Sequence, residues 1–509
     1  MPADPSTPLR ILILGGGTAG WMAASLMAKR WEGRPVEITL LESPEIGIVG
    51  VGEGSTPQLK GFFDTLGIAE ATWMPRCNAT FKTAIRSVGW STRPGFEAYY
   101  HPFKTDLDDR SAPAFYFNTV LRRRGVDVPA HPDRFFVDAA LAQRRLAPHP
   151  AHSFPFRAFY GYHFDAYLIG AYLREWATAR GVRHLEGTVA RVEQADDGTI
   201  RAVHADGDRR IEADFFIDCS GFRSLLLQGA LGVPFLPFGA NLFNDAAVAL
   251  PTPHDERPIA PQTTATALRF GWAWRIPLTN RVGNGYVYST RYTTPEDAER
   301  ELRAHLRIGD EVPARHLRMR VGRVAQPWSH NCLAVGLSQG FIEPLEATAL
   351  HLVQETIERF MEAFEGGGLG PAKRDALNRE INGRFEGVRD YIVCRYKANT
   401  RSDTPYWRDA AALDALSDSL RGLLHCWLQG GDLAAEIDRQ GIGLWFGGMS
   451  WHCLLGGYGV YPDPSTLRPP TARETPFDPA KIEDFIARCC LNFPAHEEVL
   501  AGQGMESPG

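Results

Sequence analysis

A chain of 509 residues is long enough for two or three packed units with a large core. Its composition, 44% hydrophobic and 22% charged, is typical of a globular protein, and its net charge of −6 at pH 7 supplies no basic surface for nucleic acid or anionic membrane. The apolar run over residues 11–14 is too short for a signal peptide or a membrane span. These features predict a cytoplasmic protein that binds small molecules.

The cysteines predict free thiols rather than a disulfide framework. The 8 cysteines form no CxxC pair and are scattered along the chain, which favours a reducing compartment. Two His/Cys pairs, at residues 330/332 and 452/453, have no matching second pair that would complete a zinc site. No metal centre is predicted.

The first elements predict a dinucleotide site. Residues 9–14 form a β-type apolar run, the sequence GGGTAG follows at once, and the next residues have helical spacing. Gly15, Gly17 and Gly20 fit GxGxxG, in which the first glycine makes the turn, the second lets backbone approach a pyrophosphate, and the third lets helix pack on strand.

The same segment supplies further candidate cofactor contacts. Thr18 and Ala19 lie in the first helical turn, where backbone amides and the helix dipole favour phosphate. The segment VEITLLE predicts a second strand that ends at Glu42, whose carboxylate can accept hydrogen bonds from ribose hydroxyls. The motif alone is compatible with NAD or FAD.

Later elements favour FAD. A predicted helix over residues 163–181 is followed by strand-like pieces broken at the Asp-Gly pairs that begin at residues 197 and 206, and the last strand ends at Asp218. This order of helix, β-meander and returning strand resembles the FAD domain of flavin monooxygenases.

A GxSxG pattern at Gly336, Ser338 and Gly340 offers a different interpretation, the nucleophile elbow of a serine hydrolase. Asp390 and His452 follow in the required order, but no HGGG oxyanion segment is present, and the dinucleotide motif would have no role. The hydrolase is therefore the weaker alternative.

The residues after this pattern predict an amphipathic helix whose first turn lies near Glu346. A helix start carries unbonded amides and positive potential, which suit an anion. The apolar face comprises Leu350, Val353, Ile357, Phe360 and Phe364.

Together the segments GGGTAGWMAA, VGVGEGSTP, NATFKTAI, GWAWRIP and GFIEPLEAT resemble the flavin-dependent halogenases of the tryptophan halogenase type. The resemblance implies an α/β flavin-monooxygenase-like fold with a mostly helical C-terminal region. It also implies further FAD contacts at Val51, Gly52, Glu53, Asp218, Gly336 and Leu337.

The family chemistry, as the resemblance implies it, gives a role to Lys82 of NATFKTAI. Reduced FAD and oxygen would oxidise a halide held by the amides of Thr348 and Ala349, and the hypohalous acid would travel through the interior to the lysine. Burial lowers the pKa of a lysine and leaves a neutral, nucleophilic fraction near neutral pH. Glu346 would polarise the oxidant or take the ring proton.

Trp272 and Trp274 of GWAWRIP lie two residues apart, so they would share one face of a strand that Pro277 ends. The bland interpretation is a core aromatic pair. The resemblance implies that the pair forms a wall that separates organic substrate from the flavin.

Two departures from the family pattern refine the prediction. The family continues its glutamate with Ser, Thr and Gly, whereas this chain has Ala347, Thr348 and Ala349, and alanine adopts positive φ reluctantly. A weaker halide site favours bromide, which is easier to oxidise than chloride.

Trp451 and His452 stand where members that act on free tryptophan tend to have two tyrosines. This favours indole, an indole derivative or a phenol-like ring over free tryptophan. The following aromatic residues could sandwich such a ring: Trp407, Trp427, Trp445, Phe446 and Trp451.

The predicted organisation is an FAD-binding core over residues 1–370, with interleaved substrate segments, and a helical substrate-binding region over residues 371–509. No second nucleotide fingerprint is present, so a separate flavin reductase is expected to supply reduced FAD. A homodimer is left open.

The main alternative is an FAD-dependent aromatic monooxygenase, which shares the glycine loops but needs neither Lys82 nor the tryptophan pair. A flavin-binding protein without catalysis is the third interpretation.

Overall fold

The computed structural model describes residues 8–45, 52–255, 257–366 and 370–503. Its strands, in chain order, are β1 Leu9–Leu14, β2 Val36–Glu42, β3 Glu53–Gly54, β4 Thr80–Lys82, β5 Ala84–Val88, β6 Ala98–Pro102, β7 Gly161–Phe164, β8 Arg183–Glu186, β9 Val189–Gln194, β10 Ile200–Ala205, β11 Arg209–Glu212, β12 Phe215–Asp218, β13 Phe235–Pro237, β14 Ala246–Thr252, β15 Gln262–Leu268, β16 Gly271–Pro277, β17 Val282–Tyr288, β18 Arg315–Arg318, β19 Gly322–Val324, β20 Trp328–Ser329, β21 Cys332–Ala334 and β22 Gly340–Phe341.

The α-helices of the same residues are α1 Thr18–Arg30, α2 Gln58–Leu66, α3 Glu70–Trp73, α4 Asp108–Arg123, α5 Val137–Arg144, α6 Ala166–Thr178, α7 Pro295–Leu306, α8 Ala349–Glu365, α9 Pro371–Lys397, α10 Pro405–Ala412, α11 Asp418–Leu428, α12 Leu433–Gln440, α13 Gly448–Gly457, α14 Pro479–Cys490 and α15 His496–Gln503. In the part of the chain that the structure describes, no helix combines the length and apolar character needed to cross a membrane.

The chain divides into two compact units, each built from three segments. The first unit contains residues 1–78, 164–239 and 319–386, and the second contains residues 79–163, 240–318 and 387–509. The predicted boundary near residue 370 separates regions of sequence rather than these units, and it stays a prediction.

The first unit is organised around a six-stranded sheet in the order β20-β21-β12-β1-β2-β8. β1 pairs in parallel with β2 and with β12, so Ile11 lies opposite both Ile38 and Phe215. Because a central parallel strand is covered on both faces, β1 is almost continuously apolar. The predicted strand at residues 9–14, the helix after it and the strand that ends at Glu42 are all confirmed.

The β-meander of the first unit also agrees with the sequence. β9, β10 and β11 form an antiparallel sheet whose connections contain the two Asp-Gly pairs. Asp165 caps α6 by accepting from the amides of Tyr167 and Leu168 at 3.0 and 3.4 Å. The helix predicted over residues 163–181 is therefore confirmed over Ala166–Thr178, with Asp165 as its cap, but the first two residues of the prediction belong to strand β7, Gly161–Phe164.

The second unit contains a seven-stranded sheet in the order β18-β14-β17-β16-β15-β5-β6. All its pairs are antiparallel except β15 with β5. The strand that carries Lys82, β4, pairs with β7, so that Phe81 lies opposite Tyr162 and Lys82 lies opposite Gly161. Described residues 370–503 are mainly helical, as predicted.

Candidate active site

The glycine turn between β1 and α1 fits a cofactor pyrophosphate. Gly15 has φ +112°, and a Cβ at this position would overlap the carbonyl oxygen of Cys219. A Cβ on Gly20 would overlap the carbonyl oxygen of Gly15, whereas a Cβ on Gly17 would meet no atom within 4 Å. Two glycines therefore permit close packing inside the protein, and the third leaves an open approach to the amides at the start of α1.

Glu42 lies beside this turn at the end of β2. Its Oε1 is 2.6 Å from Nε2 of His184, and a Cβ on Gly16 would overlap its carboxylate. Thr18 and Ala19 begin α1, with Gly17 as the N-cap residue. The residues expected to meet the ribose and the phosphates are thus brought together in the first unit.

The segment VGVGEGSTP lies partly outside the described residues, and so does the predicted contact Val51. Gly52 is buried and has φ +87°. Glu53, in β3, is half-buried, and the burial of its carboxyl group together with the charge of Asp165 raises its pKa to about 7.

Asp218 is saturated by protein donors. Both of its carboxylate oxygens accept hydrogen bonds, and the 6 donors are the amides of Ser220, Leu226 and Leu227 and the hydroxyls of Ser220, Ser224 and Ser338. The side chain is fully buried. Its evident work is to order the turn after β12, and a direct contact between Asp218 and FAD stays a prediction.

The GxSxG segment belongs to the same unit and is not arranged as a nucleophile elbow. Ser338 is buried, and its hydroxyl lies 3.1 Å from both Asp218 Oδ1 and the carbonyl oxygen of Gly221. Gly336 has φ +70°, and a Cβ there would lie 2.8 Å from Cβ of Ala19. Gly336 therefore lies against the start of α1, and Leu337 next to it is half-buried, an arrangement that differs from a hydrolase site.

The start of α8 carries the candidate acid–base and halide residues. Glu346 is buried, Ala347 has φ +54°, and Thr348 is the N-cap residue with φ −83°. The first regular helical bond joins the amide of Leu352 to the carbonyl of Thr348. The expected difficulty of alanine with positive φ therefore applies at residue 347 only, because Ala349 is already helical.

Lys82 is fully buried in the second unit. Its Nζ lies 5.3 Å from the centroid of the Phe103 ring, within the range of a cation–π contact. The amides of Phe103 and Lys104 donate to Asp138 Oδ2 at 3.1 and 2.8 Å, which fixes the backbone that carries the ring. The pKa of Asp138 is raised well above its usual value by burial and by the charge of Asp108.

Trp272 and Trp274 lie on β16 as predicted, with ring centroids 6.2 Å apart. Both are buried, and a Cβ on Gly285 of the neighbouring strand would overlap the Trp274 ring. The strand ends at Pro277. The pair forms an aromatic surface on one strand face, and its role as a wall stays a prediction.

Trp451 and His452 are buried within α13. Trp451 Nε1 donates to the carbonyl of Phe446 at 3.1 Å, and His452 Nδ1 lies 2.8 Å from Thr119 Oγ1. Trp445, Phe446 and Trp451 line a small cavity, whereas Trp407 and Trp427 are core residues.

Comparisons with known proteins agree with this arrangement. Residues 10–471 match the family model described as "Tryptophan halogenase". The chain belongs to the tryptophan halogenase family. It is 37% identical to a tryptophan 6-halogenase of Streptomyces toxytricini over 98% of each chain, and 36% identical to a tryptophan 7-halogenase of Lentzea aerocolonigenes over 90% of this chain and 91% of that protein.

Solved structures show the same relationship. The Streptomyces toxytricini enzyme matches this halogenase with a TM-score of 0.84 at 35% identity, over 97% of this chain and 99% of the other. A flavin-dependent halogenase from Brevundimonas sp. BAL3 matches with a TM-score of 0.84 at 32% identity, over 98% and 100% of the chains. The protein is therefore a flavin-dependent halogenase. Its glycine turn fits FAD, because Gly15 and Gly20 allow close packing of the backbone and Gly17 leaves the approach to the helix amides open.

The sequence did not reveal the histidines that contact the strand of Lys82. His163 contacts Thr80, and His496 contacts the amide of Phe81. A histidine beside the Asp165 helix cap and a histidine near the C-terminus carry no local pattern that points to the lysine.

Proposed function

We propose that this halogenase delivers hypohalous acid from Lys82 to an electron-rich aromatic ring, with indole or an indole derivative as substrate. The supporting observation is that Lys82 is completely buried on a short strand beside the Phe103 ring. A buried ammonium is unfavourable unless other groups stabilise it, so its retention indicates a task inside the protein. The ammonium would hold the oxidant by a hydrogen bond or as a haloamine.

The proposed reaction has two steps, oxidation of the halide and transfer of the halogen to the ring. When bound, reduced FAD would supply the two electrons with which oxygen and a proton convert halide to hypohalous acid and water. The aromatic carbon then takes the halogen, and the hydroxide leaves with the ring proton as a second water. We propose that the buried carboxyl of Glu346 polarises the oxidant or accepts that proton.

We propose that halide lies at the start of α8, near the amides of Thr348 and Ala349, and that bromide is used better than chloride. These amides precede the first regular helical bond. The side chain of Ala347 supplies no hydroxyl, and its positive φ is unfavourable for alanine. With both halides present, mainly brominated product is expected, and mainly chlorinated product would contradict the preference.

The environment of Trp451 and His452 supports a substrate without an amino-acid group. Trp451 Nε1 donates to the carbonyl of Phe446, and His452 Nδ1 is hydrogen-bonded to Thr119 Oγ1, both inside the second unit. Neither side chain therefore offers those atoms to a zwitterion. We expect turnover of indole at a higher kcat/KM than turnover of free tryptophan, measured with each substrate alone.

The assay for Lys82 uses purified protein, FAD, NADH, bromide, indole and an added flavin reductase, which we propose as the natural source of reduced FAD. Lys82→Ala and Lys82→Met should abolish the brominated product, which is recognised by its paired isotope masses, while oxidation of reduced FAD continues. Exposed Lys481→Met is the matched control and should keep wild-type yield. Full bromination by Lys82→Ala would refute the role of Lys82, and an oxygenated product formed without halide would indicate a monooxygenase.

A further inference from the structure

We propose that His496, on the C-terminal helix α15, is a positioning residue for Lys82 and that it acts together with His163 through strand β4. The inference rests on the proposed role of Lys82. All the residues concerned lie in the second unit.

His496 binds the backbone of the residue that precedes the lysine. Its side chain is fully buried, and Nδ1 lies 2.9 Å from the carbonyl oxygen of Ile259, which can only accept. Nδ1 therefore carries the proton, and Nε2 accepts from the amide of Phe81 at 3.3 Å. Burial lowers the pKa of His496 to about 4, which agrees with a neutral ring.

His163 binds the side chain of Thr80, the first residue of β4. Thr80 Oγ1 donates to the carbonyl oxygen of Pro277 at 2.7 Å, so it accepts from His163 Nδ1 at 2.9 Å. His163 Nε2 then accepts from Thr263 Oγ1 at 3.0 Å. Burial and the charge of Lys82 lower the pKa of His163 well below its usual value, so this ring is also neutral.

The two histidines fix β4 in different ways. Thr80 and Lys82 point to one face of the strand because successive side chains alternate, and His163 lies opposite Thr80 in the ladder. Phe81 points to the other face, where its ring packs against Tyr160 and His149 at centroid distances of 5.5 and 4.7 Å. A strand of three residues has few ladder bonds of its own, so these contacts determine where the ammonium lies.

Position matters because the oxidant must reach one carbon of the ring. A displacement of about 1 Å can reduce the rate of a positioned reaction by about a hundredfold. A displaced lysine would fail to hold the hypohalous acid, although the flavin chemistry that forms it would continue.

The test compares His496→Phe, which keeps a ring but removes both hydrogen bonds, with His496→Gln, whose amide can donate to Ile259 and accept from Phe81. Brominated indole and bromide oxidant captured by an added trap are measured in the same reaction. His496→Phe should lower product at least tenfold and raise trapped oxidant, and His496→Gln should restore product to within about threefold of wild type. Exposed His152→Phe is the control and should leave both unchanged.

Three outcomes would overturn the proposal: wild-type product from His496→Phe, an equal loss of product and trapped oxidant, or no rescue by His496→Gln. If His496→Phe does not fold, Thr80→Val carries the test, because it removes the bonds to His163 and Pro277 with little change of shape, and unchanged product would then count against the proposal. Lys82→Ala in the same assay separates the two hypotheses. If Lys82→Ala keeps product, the proposed function fails; if only the histidine variants keep it, the positioning role fails.

Discussion

Replacing His452 by glutamine should remove part of the acid sensitivity of the folded protein. The His452 ring is buried between Trp427 and Tyr116, with centroid distances of 5.4 and 5.1 Å, and its Nδ1 contacts Thr119. Burial and the charge of Arg123 lower its pKa to about 3. In the unfolded chain the ring recovers an ordinary pKa of about 6.5. Between these two values the unfolded state binds more protons than the folded state.

The difference in bound protons sets the direction and the size of the pH dependence that His452 gives to the free energy of unfolding. Stability rises with pH wherever the unfolded state binds more protons, so the contribution of His452 is fully present above pH 6.5 and is lost as pH falls toward 3. Between pH 7.5 and 5.5 the loss from this group is about 1.4 kcal/mol. For a unit of this size that corresponds to a fall of roughly 2 °C in Tm.

The assay is Tm of wild type and His452→Gln at pH 7.5 and 5.5, with urea titrations at both pH values. Glutamine will change stability at each pH because it packs differently. This change is the same at both pH values, so it cancels when the fall in Tm between them is taken. The titration of other groups cancels when the falls of the two proteins are compared. The fall in Tm should be smaller in the variant by roughly 2 °C. Exposed His152→Gln should show the wild-type fall. Identical falls in wild type and His452→Gln would refute a neutral, buried His452.

Three further predictions concern the first unit. Ala347→Gly should raise stability by about 1 kcal/mol, seen as a higher urea midpoint, because glycine adopts φ +54° without strain; a lower midpoint would contradict this. Gly17→Ala should fold normally, since φ −71° suits alanine and its Cβ meets no atom within 4 Å, yet lose at least tenfold in FAD affinity in a fluorescence titration. Gly15→Ala should instead lower Tm, so equal stability of the two variants would count against the packing argument. Ser338→Ala should keep halogenation at a cost of about 1 kcal/mol, and loss of product with intact FAD binding would show that the hydroxyl takes part in catalysis.

Local patterns were sufficient for the elements of the first unit. The glycine turn could be predicted because each of its roles depends on the absence of a side chain at one position, and Gly15 and Gly20 occupy the two positions where a Cβ would overlap backbone. The apolar face of α8 could be predicted for the same reason, since helical periodicity is a local property; Leu350, Val353, Ile357 and Phe360 are buried.

Hydrogen-bond partners distant in sequence could not be predicted. Phe81 and His496 are 415 positions apart, and no local pattern links them. Asp218 shows the same limit, because its 6 donors come from residues 220–227 and from Ser338, and no local pattern predicts that these segments fold around one carboxylate. At Ala347 the intrinsic preference of alanine for negative φ does not decide the conformation, because the residue adopts φ +54° in the folded chain.

Two effects keep His163 neutral beside Lys82. The charge of Lys82 lowers the pKa of His163, and by reciprocity a proton on His163 would oppose the charge of Lys82. A protonated His163 would also lose the lone pair that accepts from Thr263. Both effects keep His163 neutral. On the proposed function, the lysine that would hold the hypohalous acid thus has a neutral histidine on the neighbouring strand and the Phe103 ring 5.3 Å from its Nζ.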